Sequence, residues 1–100
     1  MQITITARHC EVADDVRERA SEMAARLMKI AHRPQTMEIV FDDEHARKHV
    51  ELRLSLPRGQ VLVASAGAED FRTALDRAVE KLRPQLERSS ARSERRQHTG

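Results

Sequence analysis

A chain of one hundred residues, 39% hydrophobic and 34% charged with both signs interspersed, suits a single domain with one modest core and excludes a disordered polyelectrolyte. One cysteine excludes an internal disulfide, and the longest apolar run, VLVASAGA, is too short to span a membrane. The net charge of +2 is unevenly spread: residues 1–69 hold ten Lys/Arg against eleven Asp/Glu and residues 70–100 hold eight against five, so the basic end is the one suited to a polyanion.

In QITITAR, residues 2–8, Ile3, Ile5 and Ala7 alternate with Gln2, Thr4, Thr6 and Arg8, the period of a half-buried strand. HCEVA reads as a loop, after which Asp14 and Asp15 offer a cap and negative charge for the first turn of a helix. Val16, Ala20, Met23, Leu27 and Ile30 form its apolar stripe over residues 14–32, and Pro34 ends it. TMEIVFDD turns Met37, Ile39 and Phe41 to one face. KHVELRLSL turns Val50, Leu52, Leu54 and Leu56 inward, with His49, Glu51, Arg53 and Ser55 outward. PRGQ is a hairpin turn into QVLVASA, and Gly67, Glu69 and Asp70 mark the break before a second helix whose stripe is Phe71, Ala74, Leu75, Ala78, Val79, Leu82 and Leu86.

The order β-α-β-β-β-α predicts a two-layer α+β domain: a four-stranded mixed sheet with both helices on one face. The first two strands are parallel through a right-handed crossover and the rest form a meander. Proline inside a helix costs about 3 kcal/mol, against roughly 1.5–3 kcal/mol from burying Leu86, so the second helix is expected to kink or fray near residues 82–83. Residues 1–88 then form the domain and residues 89–100 a flexible basic tail.

No residue set points to catalysis. His45 and His49 are four apart, but across a turn and a strand entrance, where two imidazoles do not converge on a metal. Cys10 lies beside His9 on extended backbone, and adjacent side chains there point apart. Asp42, Asp43 and Glu44 read as a solvated hairpin turn, and three glycines supply neither a phosphate cradle nor a serine elbow. The expectation is a protein that is not an enzyme, with no metal and no cofactor. Both phenylalanines belong to the core and Tyr and Trp are absent, which disfavours single-strand recognition by base stacking. Phosphate recognition needs only cations. Arg19, Arg26, Lys29 and Arg33 form a stripe on the first helix, and Arg77, Lys81 and Arg88 one on the second. Local pairing, such as Glu22 with Arg26 or Arg77 with Glu80, accounts for the same spacing, so the pattern by itself leaves both readings open.

The opening MQITITARHCEVADDVRERA and the segment ASAGAEDFRTALDRAVEKLRPQL resemble the short ribosome hibernation-promoting factors, the family that also contains the ribosome-associated inhibitor A. The second segment carries a small-residue strand end at 64–67, then Asp70, Ala74, Leu75 and Asp76, then Lys81 with Leu82 and Gln85 with Leu86. The resemblance covers about residues 1–96. It implies a translation inhibitor that binds 16S rRNA in the decoding channel of the small ribosomal subunit and promotes hibernation under stress or in stationary phase. Residue by residue it selects Arg26, Arg77, Lys81, Arg83 and Arg88. Lys29 of the first stripe and Arg92, Arg95 and Arg96 of the tail complete the expected RNA-binding set. The sequence departs from the family at Arg72, usually Tyr, at Pro84, usually basic, and at Met23, often Lys. The single cysteine and the short apolar runs predict a cytoplasmic protein that is not on a membrane, expected to be monomeric when free, and the resemblance implies that pairing ribosomes would need a second factor. The competing expectation is a protein-interaction or dimerisation module that uses Glu51 and Arg53 on the exposed sheet face.

Overall fold

Period-2 alternation in four segments builds one sheet, strand order β1-β2-β3-β4, from β1 (Gln2–Arg8), β2 (Thr36–Glu44), β3 (Arg47–Ser55) and β4 (Val61–Ala68). The computed structural model describes residues 2–44 and 46–99, with side chains through Ser89. β1 and β2 are parallel, joined by α1 (Asp14–Ile30), while β2, β3 and β4 are antiparallel neighbours. The register stacks Ile5, Ile39, Leu52 and Ala64 in one row across the sheet, so the inward apolar positions of all four strands share one face, with Val40, Val61 and Val63 on the other. α1 and α2 (Phe71–Thr99) cover that face, and Phe41, Val50, Leu54, Leu75, Leu82 and Leu86 are fully buried beneath them. Phe41 and Phe71 meet edge to face, with centroids 5.4 Å apart, so both rings are spent in the core.

β4 runs through Gly67, read in the sequence as a break, to Ala68, and three further boundaries differ from the sequence reading. α1 ends at Ile30 rather than at 32, and its N-cap is Ala13, which makes no side-chain bond. Asp14 and Asp15 instead occupy the first turn, where they face the positive end of the helix dipole. Asp42, Asp43 and Glu44 are strand and not turn, because the antiparallel register sets them opposite His49, Lys48 and Arg47. Cross-strand pairing of opposite charges, with Lys48 bonded to Asp43, carries β2 through Glu44. His45 lies outside the described residues, and its partner in the rejected metal reading, His49, stands within β3.

The third difference is α2, which passes through Pro84 to Thr99 instead of fraying at 82–83. The energetic reason is that two leucines, not one, depend on continuity. Leu82 and Leu86 are both 0% exposed, together worth roughly 3–6 kcal/mol against about 3 kcal/mol for the proline. Pro84 sits on the exposed side, where the Glu80 carbonyl that loses its helical donor can be hydrated. Ser89, expected in the tail, is 8% exposed and packs with the domain.

Candidate nucleic-acid interface

Small residues bring α2 close to the sheet. Ala64, Ala66 and Ala68 of β4 face Ala74 and Ala78 of α2, all buried, and the helix settles along the edge strand. Side chains on that flank reach the outer carbonyls of β4. Arg77 Nη1 donates to the Gly67 carbonyl at 3.2 Å, Lys81 Nζ to Ser65 at 3.1 Å and Gln85 Nε2 to Val63 at 3.0 Å, and Ser89 Oγ meets Gln60 Oε1 at 3.4 Å. The partners descend along β4 as the helix ascends, so α2 runs antiparallel to it. Four helical residues advance about 6.0 Å and two strand residues about 6.6 Å, which is why the spacing i, i+4 meets every second carbonyl. The ladder also covers an edge strand that would otherwise present free backbone acceptors.

On the opposite flank of α2, Asp76 takes a two-pronged bond from α1: Arg19 Nε to Oδ1 at 3.0 Å and Arg19 Nη2 to Oδ2 at 3.1 Å. This fork raises the pKa of Arg19 through its bond to Asp76, and it removes Arg19 from the cation stripe expected on α1. Arg26 stands seven residues after Arg19, and Arg83 seven after Asp76. Seven residues are nearly two turns, so both lie on the flanks that meet at the α1–α2 groove, about 10 Å beyond the fork.

The expected RNA-binding residues are therefore arranged in two rows. Arg77, Lys81 and Arg88 follow the β4 flank of α2, with Arg88 lining a hollow beside Gln60, Leu62, Gln85 and Ser89. Arg26 and Arg83 follow the groove, while Lys29 falls away from it on the outer side of α1. Exposed Glu80 and Glu87 stand on the ridge of α2 between the rows. All six cations are exposed, and the side chains of Arg26, Lys29, Arg83 and Arg88 have no ion pair or hydrogen bond among the described residues. Arg92, Arg95 and Arg96 lie outside the residues whose side chains are described.

Sequence reasoning missed the Arg19–Asp76 fork and the Gln85 rung, as well as Arg47, whose Nη2 donates to the same Gly67 carbonyl at 3.2 Å. Gly67 makes room for it: a Cβ there would stand 2.7 Å from Arg47 Nε. The one available signal was the row Arg77, Lys81, Gln85, Ser89 at steps of four, all able to donate, beside a strand of small residues. At the N-terminus of α2, Asp70 accepts bonds from the Thr73 N–H at 2.8 Å and the Thr73 hydroxyl at 3.0 Å, which hold its carboxyl below the usual aspartate range. Burial and the nearby Asp42 and Asp43 raise the thiol of Cys10, whose Sγ donates to the Phe41 carbonyl at 3.6 Å. A raised thiol is a poorer nucleophile.

The domain is α+β, with two exposed rows of cations on its helical layer. From residue 3 to residue 94 the chain matches the family described as Sigma 54 modulation protein / S30EA ribosomal protein, and it belongs to that family. It is 32% identical over 88 residues to the ribosome hibernation promoting factor of Pseudomonas putida, covering 88% of this chain and 85% of the relative. The factor of the same name from Azotobacter vinelandii is 29% identical, over 86% of this chain and 79% of its own length. In fold the chain is similar to a ribosomal subunit interface protein from Coxiella burnetii, with TM-score 0.78 and 24% identity over 91% of this chain and 99% of that one. It is also similar to the N-terminal domain of Protein Y from Thermus thermophilus, with TM-score 0.74 and 26% identity over 88% and 98% of the two chains. No helix among the described residues is long and apolar enough to cross a membrane.

Proposed function

We propose that this protein is a cytoplasmic ribosome hibernation factor that binds 16S rRNA in the decoding channel of the small ribosomal subunit and holds the ribosome idle without catalysing a reaction. The observation that carries the reading is kinship along nearly the whole of both chains with a ribosome hibernation promoting factor, 88% of this chain and 85% of the relative. The two cation rows support it physically, since exposed guanidinium and ammonium groups with no carboxylate partner among the described residues can take phosphate oxygens. We assign Arg92, Arg95 and Arg96 to the RNA-binding set as well, as a basic arm over residues 89–100.

Cosedimentation with small subunits across a salt series tests the reading. Binding should weaken steeply with salt, and reversing Arg77, Lys81 and Arg88 to Glu should lower the log–log slope by about one for each phosphate the protein no longer neutralises. Deleting residues 89–100 should weaken binding and flatten the slope as well. Salt-insensitive binding would instead favour the sheet face. There Val61 and Val63 are 48% and 41% exposed, and Arg53 Nη2 bonds Glu51 Oε1 at 3.3 Å. A partner seated on that face should be released on charging Val63 and not on reversing the α2 cations.

A further inference from the structure

The third rung between α2 and the edge of β4 differs in kind from the first two. Arg77 and Lys81 are cations held on neutral carbonyls, and Gln85 is a neutral amide held on a neutral carbonyl. A phosphate offers a cation ion–ion attraction in addition to a hydrogen bond, and a neutral carbonyl offers only the hydrogen bond. A phosphate arriving at this exposed flank therefore draws Arg77 and Lys81 away from Gly67 and Ser65. The amide of Gln85 carries no charge to be drawn by a phosphate, and it stays on Val63. Its position makes that persistence matter. Gln85 directly follows Pro84, where the helix lacks a backbone donor, and it precedes Arg88 by three residues. It is half-buried, whereas the two cations are exposed.

We infer that Gln85 is a positioning residue for the cationic end of α2. It ties the turn after Pro84 to the sheet edge, so that Arg88 keeps its place over the hollow beside Gln60 while the cationic rungs exchange carbonyls for phosphates. The inference rests on the RNA-binding reading above. In this role Gln85 touches no phosphate and acts through Arg88.

Gln85→Met is nearly isosteric and cannot donate. In cosedimentation with small subunits its affinity should fall about 2- to 12-fold, the worth of one neutral hydrogen bond. The slope of log affinity against log salt should not change, because the same phosphates stay neutralised. Gln85→Lys should not restore the original behaviour: its ammonium can reach Val63 as Lys81 reaches Ser65, but phosphate draws it away in the same manner, and the salt slope should steepen by about one. In an Arg88→Ala background, Gln85→Met should have no further effect. Gln85→Ala, which favours the helix, carries the same expectations if the Met variant does not fold. Wild-type affinity in the Met or Ala variant overturns the inference. Additivity with Arg88→Ala, which marks a bond from Gln85 to the RNA that does not act through Arg88, also overturns it. These outcomes leave the RNA-binding reading standing if the unaltered protein still binds subunits with steep salt dependence, and absence of that dependence removes both.

Discussion

Replacing Pro84 by alanine should stabilise the protein, and the sign of the change reports whether α2 is continuous. In a helix interior proline is about 3 kcal/mol less favourable than alanine. Proline also restricts the unfolded chain, and giving up that restriction returns about 0.4–1 kcal/mol to the unfolded state. The side chain is exposed, so no packing is sacrificed, and both neighbouring anchors, Leu82 and Leu86, are already fully buried in the native structure. The net gain is about 2 kcal/mol, which in a domain of this size raises the thermal midpoint by roughly 8–16 °C. Urea unfolding of the two proteins, with an unchanged m-value to show that the same surface is exposed, measures it directly. Had the helix ended before Pro84, alanine would bring only the unfolded-state loss, about 0.4–1 kcal/mol in the opposite direction. A Pro84→Ala protein equal to or weaker than the original therefore refutes a continuous α2.

Leu86→Ala should destabilise the fold by about 2–5 kcal/mol, because a side chain at 0% exposure leaves a cavity as well as losing its transfer energy. A change near zero in the same urea assay would mean that the turn after Pro84 is not docked. Asp70 predicts a pH dependence of definite sign. Its folded pKa is lowered by the bonds from Thr73, so the folded state holds fewer protons than the unfolded chain in the acid range. The stabilisation is complete above the ordinary aspartate value of about 3.9 and is lost as the pH falls through the folded value. Asp70→Asn keeps a cap acceptor and cannot titrate. The stability advantage of Asp over Asn should hold from about pH 8 to 5 and shrink towards about pH 2, and an advantage that grows in acid would contradict the assignment.

The elements that were legible in advance are those whose signal is local. Ile3, Ile5 and Ala7 opposite Gln2, Thr4 and Thr6 mark β1, and Val50, Leu52 and Leu54 mark the inward face of β3. The stripe from Phe71 to Leu86 marks α2, because burial of one face imposes a period of two on a strand and near 3.6 on a helix. The acidic end of β2 was not legible. Asp42, Asp43 and Glu44 have the composition of a turn, and only the pairing with Arg47, Lys48 and His49 makes them strand. The persistence of α2 past Pro84 was equally hidden, since the proline penalty can be read from one residue while the compensating burial of Leu82 and Leu86 depends on what lies above the sheet.

The candidate site divides along the same line. Arg83 was added by the family resemblance, and that Arg26 and Lys29 form part of one stripe and Arg77, Lys81 and Arg88 another follows from spacing along each helix. Their division into two rows does not. It arises because Arg19 forks onto Asp76 from 57 residues away, while Arg77, Lys81 and Gln85 find β4 carbonyls 10, 16 and 22 residues back. Periodicity is a property of one segment and its own backbone geometry. A hydrogen-bond partner on another segment depends on how closely two elements approach, and here the alanines of β4 and α2 set that approach after the whole core has packed.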